Sequence, residues 1–507
     1  MSTPSVADPA LARLADALLI PPFPGSPAPS WVLTALADGL AGVTVYGPNI
    51  VGPEQLRELI SDLRAAAAEP VIAIDEEGGD VTRIAHLTGS PYPGNAALGA
   101  VDDVALTEAV YLALGTDLAS LGVNLNLAPS VDVNTAADNP VIGTRSFGAD
   151  TALVARHAAA AVTGLQAAGV AACAKHFPGH GSTSKDSHDV IATVEGTFAD
   201  VTRRDLPPFI AAIEAGVRAV MPGHLRVKGL TGDLPASLSA AAQTGLLRGE
   251  LAFRGVIVSD ALEMQAVAGP YGIAEAAVLA VAAGTDLLCF GRDQDEQTYT
   301  SVRDALVAAV VAGRLPASRL EESAERVAEL RAWATAARAG GPLPAGGNGA
   351  EVGLLAARRA ISVSGRPQAL ADPLLVEIVP PSNIAVGTVP WGLGSYVSDG
   401  SVRRISTADG TDAEAVLAAA GGRSLLVVVR DAHRFPVARQ VVRRLLSVRP
   451  DTVIVEMGLP VWHPVDLVDN PAQVYIATYG ATSASSRAAA QLLGLRRDGN
   501  SVLPDRP

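Results

Sequence analysis

Polar side chains collect where the chain's apolar runs end, and their types are those of a reaction centre. One run ends Ile74-Asp75-Glu76-Glu77-Gly78-Gly79 with Arg83 close behind; another ends Asp132-Val133-Asn134, ahead of Arg145-Ser146-Phe147-Gly148. A third ends Lys175-His176-Phe177-Pro178-Gly179-His180-Gly181, a fourth Met221-Pro222-Gly223-His224 and a fifth Val258-Ser259-Asp260. Of eight histidines, His176, His180, His188 and His224 fall at these ends or in the loops just after them. Three chemistries could draw on such a set. His and Asp are zinc ligands, so metal-dependent hydrolysis is one, although neither His-x-His nor His-Glu-x-x-His spacing occurs. Phosphate or nucleotide handling is another, but no Gly-x-x-x-x-Gly-Lys-Ser/Thr loop exists. The third is glycosyl transfer by a carboxylate nucleophile with a separate acid/base. The pattern alone leaves the first and third open.

The elements that must position these groups alternate regularly. Short β-branched runs at 17–20, 42–46, 71–75, 124–133, 171–176, 218–221, 255–260 and 286–290 are separated by Ala/Leu-rich helical stretches such as 53–67, 104–121, 151–168, 206–215 and 273–283. Eight strands alternating with helices over about 300 residues predict a (β/α)8 TIM-like barrel, whose usual size is about 250 residues. An open doubly wound sheet is the alternative; the count of eight and the lack of Gly-x-Gly-x-x-Gly after the first strand favour the barrel. A barrel places chemistry at the C-terminal ends of its strands, where the polar residues lie.

A Gly/Pro-rich stretch at 339–352 reads as a linker, following a helical pattern at 317–338 with Leu320, Val327 and Leu330 on one side. The division expected is a barrel over 1–338 and a smaller α/β sandwich over 353–507. In the latter, runs at 374–379, 424–429, 452–456 and 474–478 read as buried parallel strands, with helices at 412–420, 436–446 and 483–493 between them. With 38 Lys+Arg against 52 Asp+Glu, the net charge of −14 argues against nucleic acid or an anionic membrane as partner. No uninterrupted apolar stretch of about 18 residues suggests a membrane span. The two cysteines, Cys173 and Cys289, sit in apolar runs and offer neither a disulfide framework nor a four-cysteine metal site. The first 18 residues lack a basic leader pattern, so the cytoplasm is the expected compartment.

The segment Lys175-His176-Phe177-Pro178-Gly179-His180-Gly181-Ser182-Thr183-Ser184-Lys185-Asp186-Ser187-His188 closely resembles the Lys-His-Phe-Pro-Gly-His-Gly…Asp-Ser-His motif of glycoside hydrolase family 3, in its β-N-acetylglucosaminidase branch. The stretch 253–264, ending Val258-Ser259-Asp260-Ala261-Leu262-Glu263-Met264, is similar to that family's nucleophile segment. Further matches are Asp75-x-Glu77-Gly78-Gly79 with Arg83, Asn139-Pro140-Val141-Ile142-Gly143-x-Arg145-Ser146-Phe147-Gly148, Met221-Pro222-Gly223-His224 and Pro235-Ala236-Ser237-Leu238-Ser239. Together they run through the first domain in the family's order. The resemblance implies that Asp260 is the nucleophile, His188 the acid/base and Asp186 the group orienting His188. It implies too that Asp75, Arg83, Arg145, Lys175 and His176 hold the hydroxyls and acetamido group of a terminal N-acetylglucosamine. Asp132 and His224 are substrate contacts or supports behind them, and His180 a stabiliser of its loop. No metal or other cofactor is implied. In this family the Asp-x-His lies on a mobile loop, and Gly179, Gly181, Ser182, Thr183 and Ser184 give it the small composition that motion needs.

Elementary chemistry is consistent with those roles. Cleavage with retention needs an anion below C1 and a proton donor at the leaving oxygen. A histidine, with an ordinary pKa of about 6.5, supplies that proton at neutral pH without deep burial. Asp186 would hold the imidazole in one tautomer. Glu263, three residues after Asp260, departs from the short polar residue many members carry, and Glu76 and Glu77 receive no role. The second domain resembles the sandwich of longer members; in the β-glucosidase branch it can supply the acid/base carboxylate, which an Asp186–His188 pair makes unnecessary. Aromatic residues are only 4% of the chain, which suits exo-action in a small pocket over a long groove. Peptidoglycan fragments or chitooligosaccharides are the expected substrates, and the sequence does not choose between them. Phosphorolysis in the same pocket is the nearest rival, because a deprotonated imidazole repels phosphate less than a carboxylate does. A metal-dependent barrel hydrolase and a non-catalytic sugar-binding module are the other readings.

Overall fold

The computed structural model describes residues 8–187, 190–339, 348–408, 413–464 and 473–496. Ten strands lie in its first part: β1 (Leu19–Ile20), β2 (Gly42–Val45), β3 (Val71–Ile74), β4 (Leu125–Asn126), β5 (Ala171–Phe177), β6 (Ala192–Thr193), β7 (Ala219–Pro222), β8 (Leu225–Arg226), β9 (Val256–Ile257) and β10 (Leu288–Cys289). Six form a parallel sheet in the order β2-β3-β4-β5-β7-β9, β1 pairs in parallel with β10, and β6 pairs with β8. A parallel bridge from Val258 to Leu287 joins the ends of β9 and β10, and the Thr44 amide donates to Pro21 O at 3.2 Å between β2 and β1. The sheet is therefore curled, consistent with a TIM-like domain.

Its inner face follows the two-residue period of a strand. Ile20, Ala41, Val71, Ala73, Leu125, Leu127, Ala171, Cys173, Ala219, Met221, Val256, Val258, Leu287 and Cys289 form one buried cluster, against which Val327, Leu330 and Trp333 of the helix Ala317–Ala339 pack. The cysteines are free thiols within it; burial pushes Cys289 up to about 12 and Cys173 higher still. The run expected at 124–133 is regular strand only over Leu125–Asn126. Pro129 lacks the N–H a ladder needs, and beyond it the pairing reduces to one bridge from Ser130 to Lys175. The helix Val104–Leu121 is long and apolar enough to cross a membrane, yet it carries Glu108 and Asp117, and Val110, Leu114 and Leu118 are buried in the fold.

In the C-terminal part, β11 (Ser362–Ser364), β12 (Leu374–Val379), β13 (Val402–Ser406), β14 (Leu425–Val429), β15 (Val453–Glu456) and β16 (Tyr475–Ala477) are ordered β11-β16-β15-β14-β12-β13, all parallel except the edge pair β11/β16. Alternate residues face opposite ways. Leu374, Val376, Ile378, Leu425, Val427 and Val429 pack with the helices Ala413–Ala420 and Pro436–Val448, while Leu375, Leu426, Val428, Val455 and Ile476 pack with Ala489, Ala490 and Leu493 at the end of Ser483–Leu492.

The compact units are discontinuous in sequence. One comprises Met1–Glu77, Thr107–Ile142 and Ala149–Gly346; the other Gly78–Leu106, Gly143–Gly148 and Gly347–Pro507. The segments 78–106 and 143–148, which the sequence assigned to the barrel, thus pack with the C-terminal residues. The stretch 340–347 of the expected linker lies outside the described residues, and 349–352 already belong to the helix Gly349–Ala360, whose first turn Asn348 caps by accepting from the Ala350 amide at 3.2 Å.

Candidate active site

Parallel pairing aligns the C-terminal ends of β3, β4, β5, β7 and β9, so the polar residues just beyond them come from neighbouring strands of one sheet. Glu76 and Asn126 are tied backbone to side chain in both directions: the Glu76 amide donates to Asn126 Oδ1 at 3.0 Å and Asn126 Nδ2 donates to Glu76 O at 2.8 Å. This fixes the chain between Asp75 and Glu77. Lys175, near the end of β5, places Nζ 2.5 Å from Asp75 Oδ1 and 2.8 Å from Glu77 Oε1. Lys175 and Glu77 are buried and Asp75 nearly so. Removing the cation would leave two carboxylates facing each other, a situation that usually costs about 3–5 kcal/mol. Glu77, which had no role in the reading of the sequence, is therefore half of the lysine's support; its place in the Asp75-x-Glu77 pair was the signal.

Asp132, fully buried beyond β4, is the second hub. Its Oδ2 lies 2.8 Å from His176 Nδ1 and accepts from Ser130 Oγ at 3.0 Å; its Oδ1 accepts from the His176 amide at 3.2 Å and the His180 amide at 2.7 Å. Burial alone would raise its pKa, but the charges and hydrogen bonds of His176 and His180 outweigh that and hold it below the ordinary carboxylate value. A carboxylate only accepts, so His176 Nδ1 carries a proton, and in the neutral ring Nε2 is the accepting nitrogen. Geometrically, Asp132 supports His176.

The loop after β5 is pinned where it begins. His180 Nδ1 lies 2.8 Å from Thr183 Oγ1 and Nε2 2.8 Å from Ser187 Oγ, while Asn139 Nδ2 donates to His180 O at 3.0 Å. Ser182 Oγ accepts from Arg204 at 2.8 Å, and Arg204 grips Asp205 with two nitrogens. Burial pushes Asp205 up to about 6 against the lowering pull of Arg204. Two of the glycines expected to give freedom, Gly179 and Gly181, also serve close approach. A Cβ on Gly179, at φ +131°, would sit 2.5 Å from the Asp205 side chain, and one on Gly181 would sit 2.0 Å from Val133 O. Ser182 and Thr183 are buried, whereas Ser184 and Lys185 are exposed. Asp186 is half-buried, and its carbonyl accepts from the Val190 amide at 3.2 Å. His188, expected as the acid/base, lies outside the described residues.

Asp260 follows β9, and its Oδ1 accepts from the Ala261 amide at 2.8 Å. His224 braces that turn: Nε2 lies 3.0 Å from Ala261 O, so it carries the proton, and Nδ1 takes the Ser237 hydroxyl at 2.7 Å in the neutral ring. Ser259 locks β9 to β10 by accepting from the Cys289 amide at 2.8 Å. Glu263 Oε2 accepts from the Gly291 amide at 2.6 Å, which ties the turn after Asp260 to the end of β10.

Arg83 and Arg145 belong to the other unit. There Arg83 Nη2 donates to Ala385 O at 3.1 Å, and the Arg145 carbonyl accepts from Asn95 Nδ2 at 2.8 Å. Asp75 and Lys175, Asp132 and His176, and the turn holding Asp260 with His224 are thus the expected residues brought into direct partnership. Among the described residues no group of three or more His, Cys, Asp or Glu is arranged to hold a metal ion. A groove of about 360 Å³ at the opposite ends of β7 and β9, lined by Arg218, Arg254, Arg326 and Glu329, contains none of the expected site residues.

Residues 31–330 match the glycosyl hydrolase family 3 N-terminal domain. Beta-hexosaminidase A of Pseudoalteromonas piscicida is 32% identical over 318 residues, which are 58% of this chain and 53% of that one. Beta-hexosaminidase LpqI of Mycobacterium tuberculosis is 38% identical over 265 residues, 51% of this chain and 67% of that one. The chain therefore spans about half the length of the first relative and about two thirds of the second. The structure of a glycoside hydrolase family 3 beta-N-acetylglucosaminidase from Paenibacillus superposes with a TM-score of 0.83 at 32% identity, covering 96% of both chains.

Proposed function

This chain belongs to glycosyl hydrolase family 3, and from that premise we propose that it is a retaining, exo-acting β-N-acetylglucosaminidase. It would remove terminal N-acetylglucosamine from small β-glycosides, with peptidoglycan fragments and chitooligosaccharides as the substrate classes. The observation that carries this reading is the row of strand ends in one sheet, with Lys175 clamped by Asp75 and Glu77 at β5 and Asp260 held by the Ala261 amide at β9, two strands along. An anchored cation–carboxylate pair suits sugar hydroxyls, and an anchored carboxylate suits attack at C1. We read the curled sheet with the β1–β10 pair as a closed eight-stranded barrel, and residues 353–507 as an α/β sandwich domain.

In the proposed sequence Asp260 attacks C1 as the glycosidic oxygen departs with a proton from His188, leaving a glycosyl ester on Asp260. Water, giving its proton to the same imidazole, then displaces the carboxylate, and two inversions restore the β configuration. Asp186 holds the imidazole's tautomer. Asp75, Lys175 and His176 bind hydroxyls, with Asp132 behind His176 and His224 behind the Asp260 turn. Arg83 and Arg145 stand as sugar ligands on the resemblance alone.

The test is trapping with a fluorinated N-acetylglucosaminide followed by peptide mass spectrometry. The label is expected on Asp260, and Asp260→Ala is expected to lose about 10⁴-fold in kcat and to regain rate with azide. A label on another side chain, or product of inverted configuration by NMR, overturns the assignment.

A further inference from the structure

Asp80 lies five residues beyond Asp75 in the sequence, in a loop that the motifs pass over. Its side chain is 1% exposed and accepts three hydrogen bonds, each from a different segment of its unit. Oδ2 takes Thr144 Oγ1 at 2.6 Å and Arg430 Nη2 at 3.0 Å, and Oδ1 takes the Ala481 amide at 2.8 Å. Arg430 follows β14 and lies over the Trp391 ring at 5.9 Å, which limits where its guanidinium can point. The unit is stitched at further points. Arg83 Nη2 reaches Ala385 O, and Ser90 O accepts from the Ser483 amide at 3.0 Å and from Ser483 Oγ at 3.1 Å. Thr144 immediately precedes Arg145, and Asp80 precedes Arg83 by three residues. One buried carboxylate therefore anchors both arginine-bearing segments to residues far along the chain.

We propose that Asp80 and Arg430 are positioning residues that fix Arg83 and Arg145, so that the C-terminal part of the chain sets affinity for the N-acetylated sugar. The inference rests on the reading of those arginines as sugar ligands. A buried carboxylate with three donors has a single low-energy placement, and a charged donor removed from it leaves an uncompensated group. A ligand arginine displaced by a fraction of an ångström loses bidentate geometry before it loses charge.

The experiment measures KM and kcat separately for an aryl β-N-acetylglucosaminide on the full-length chain. Asp80→Asn, Arg430→Gln and Thr144→Val are each expected to raise KM about tenfold or more, with kcat within about threefold, while Arg430→Lys recovers most of the affinity. Thr144→Val removes one hydroxyl only and remains readable if Asp80→Asn does not fold. Arg83→Ala and Arg145→Ala run alongside. If these two raise KM and the Asp80, Arg430 and Thr144 variants do not, the positioning inference fails and the proposed function stands. If Arg83→Ala and Arg145→Ala leave KM unchanged, the arginines are not sugar ligands, and the inference falls with that part of the reading.

Discussion

Asp132 and Glu456 occupy equivalent places in the two parts of the molecule and behave in opposite ways. Each is a fully buried carboxylate at or beyond the C-terminal end of a parallel strand, and each accepts backbone amides: those of His176 and His180 for Asp132, those of Asp431, Ala432 and Gly458 for Glu456. Asp132 is held below the ordinary carboxylate range, whereas burial, reinforced by the neighbouring Asp431, pushes Glu456 up to about 8. Desolvation is the largest influence on both, so the sign of the neighbour decides. Two histidines face Asp132, and an acid faces Glu456. The first carboxylate remains an anion that orients an imidazole. The second is pushed towards its protonated form and gathers the amides of its own loop, where Asp431 Oδ1 in turn accepts from the Leu459 amide at 3.0 Å. Strand-end placement therefore does not by itself make a carboxylate reactive.

Three substitutions test this contrast, in descending order of expected effect. Asp132→Asn removes the charge that faces His176 and His180; stability is expected to fall by about 3 kcal/mol in urea titrations and kcat/KM by about 10²-fold on an aryl glycoside. Unchanged activity would mean that His176 needs no buried anion. The second acts through pH. For Glu456 the folded pKa is raised from 4.5 to about 8, so its stabilising contribution is complete below 4.5 and is lost as pH rises towards 8. Glu456→Gln is expected to remove that slope, which is at most about 1.4 kcal/mol per pH unit, from stability measured between those limits. Asp132 has the opposite sign: its contribution is present above 3.8 and is lost as acid protonates it below that value, so the Asn variant flattens the acid limb instead. The smallest effect belongs to Ser237→Ala, which frees one side of His224. About 1 kcal/mol of stability and a several-fold drop in kcat are expected, read by thermal melting and steady-state rates.

The sequence exposed what is local. Apolar runs of period two and the polar residues ending them are encoded within a few neighbours, so Asp75, Lys175, His176 and Asp260 could be placed at strand ends without coordinates. Edge strands β11 and β13 escaped because they are half exposed and carry Ser362, Ser364, Arg403 and Arg404 in place of a hydrophobic run. The loop after β5 was only partly legible, for a different reason. Glycine signals freedom and close approach alike, and only the positions of Asp205 and Val133 tell the two apart at Gly179 and Gly181. Asp80 gave no signal at all, since its partners Thr144, Arg430 and Ala481 lie 64, 350 and 401 residues away. Such a contact is invisible to any short pattern.

The chain passes between its two units five times, because Gly78–Leu106 and Gly143–Gly148 are packed with residues from Gly347 onward. On the ribosome those early stretches emerge well before their partners, and at about 5–20 residues per second the wait lasts on the order of ten seconds to a minute. Folding of the nascent chain is thus obliged to finish from its tail. A gene shortened at the glycine-rich junction would leave Gly78–Leu106 and Gly143–Gly148 without the later residues they pack with.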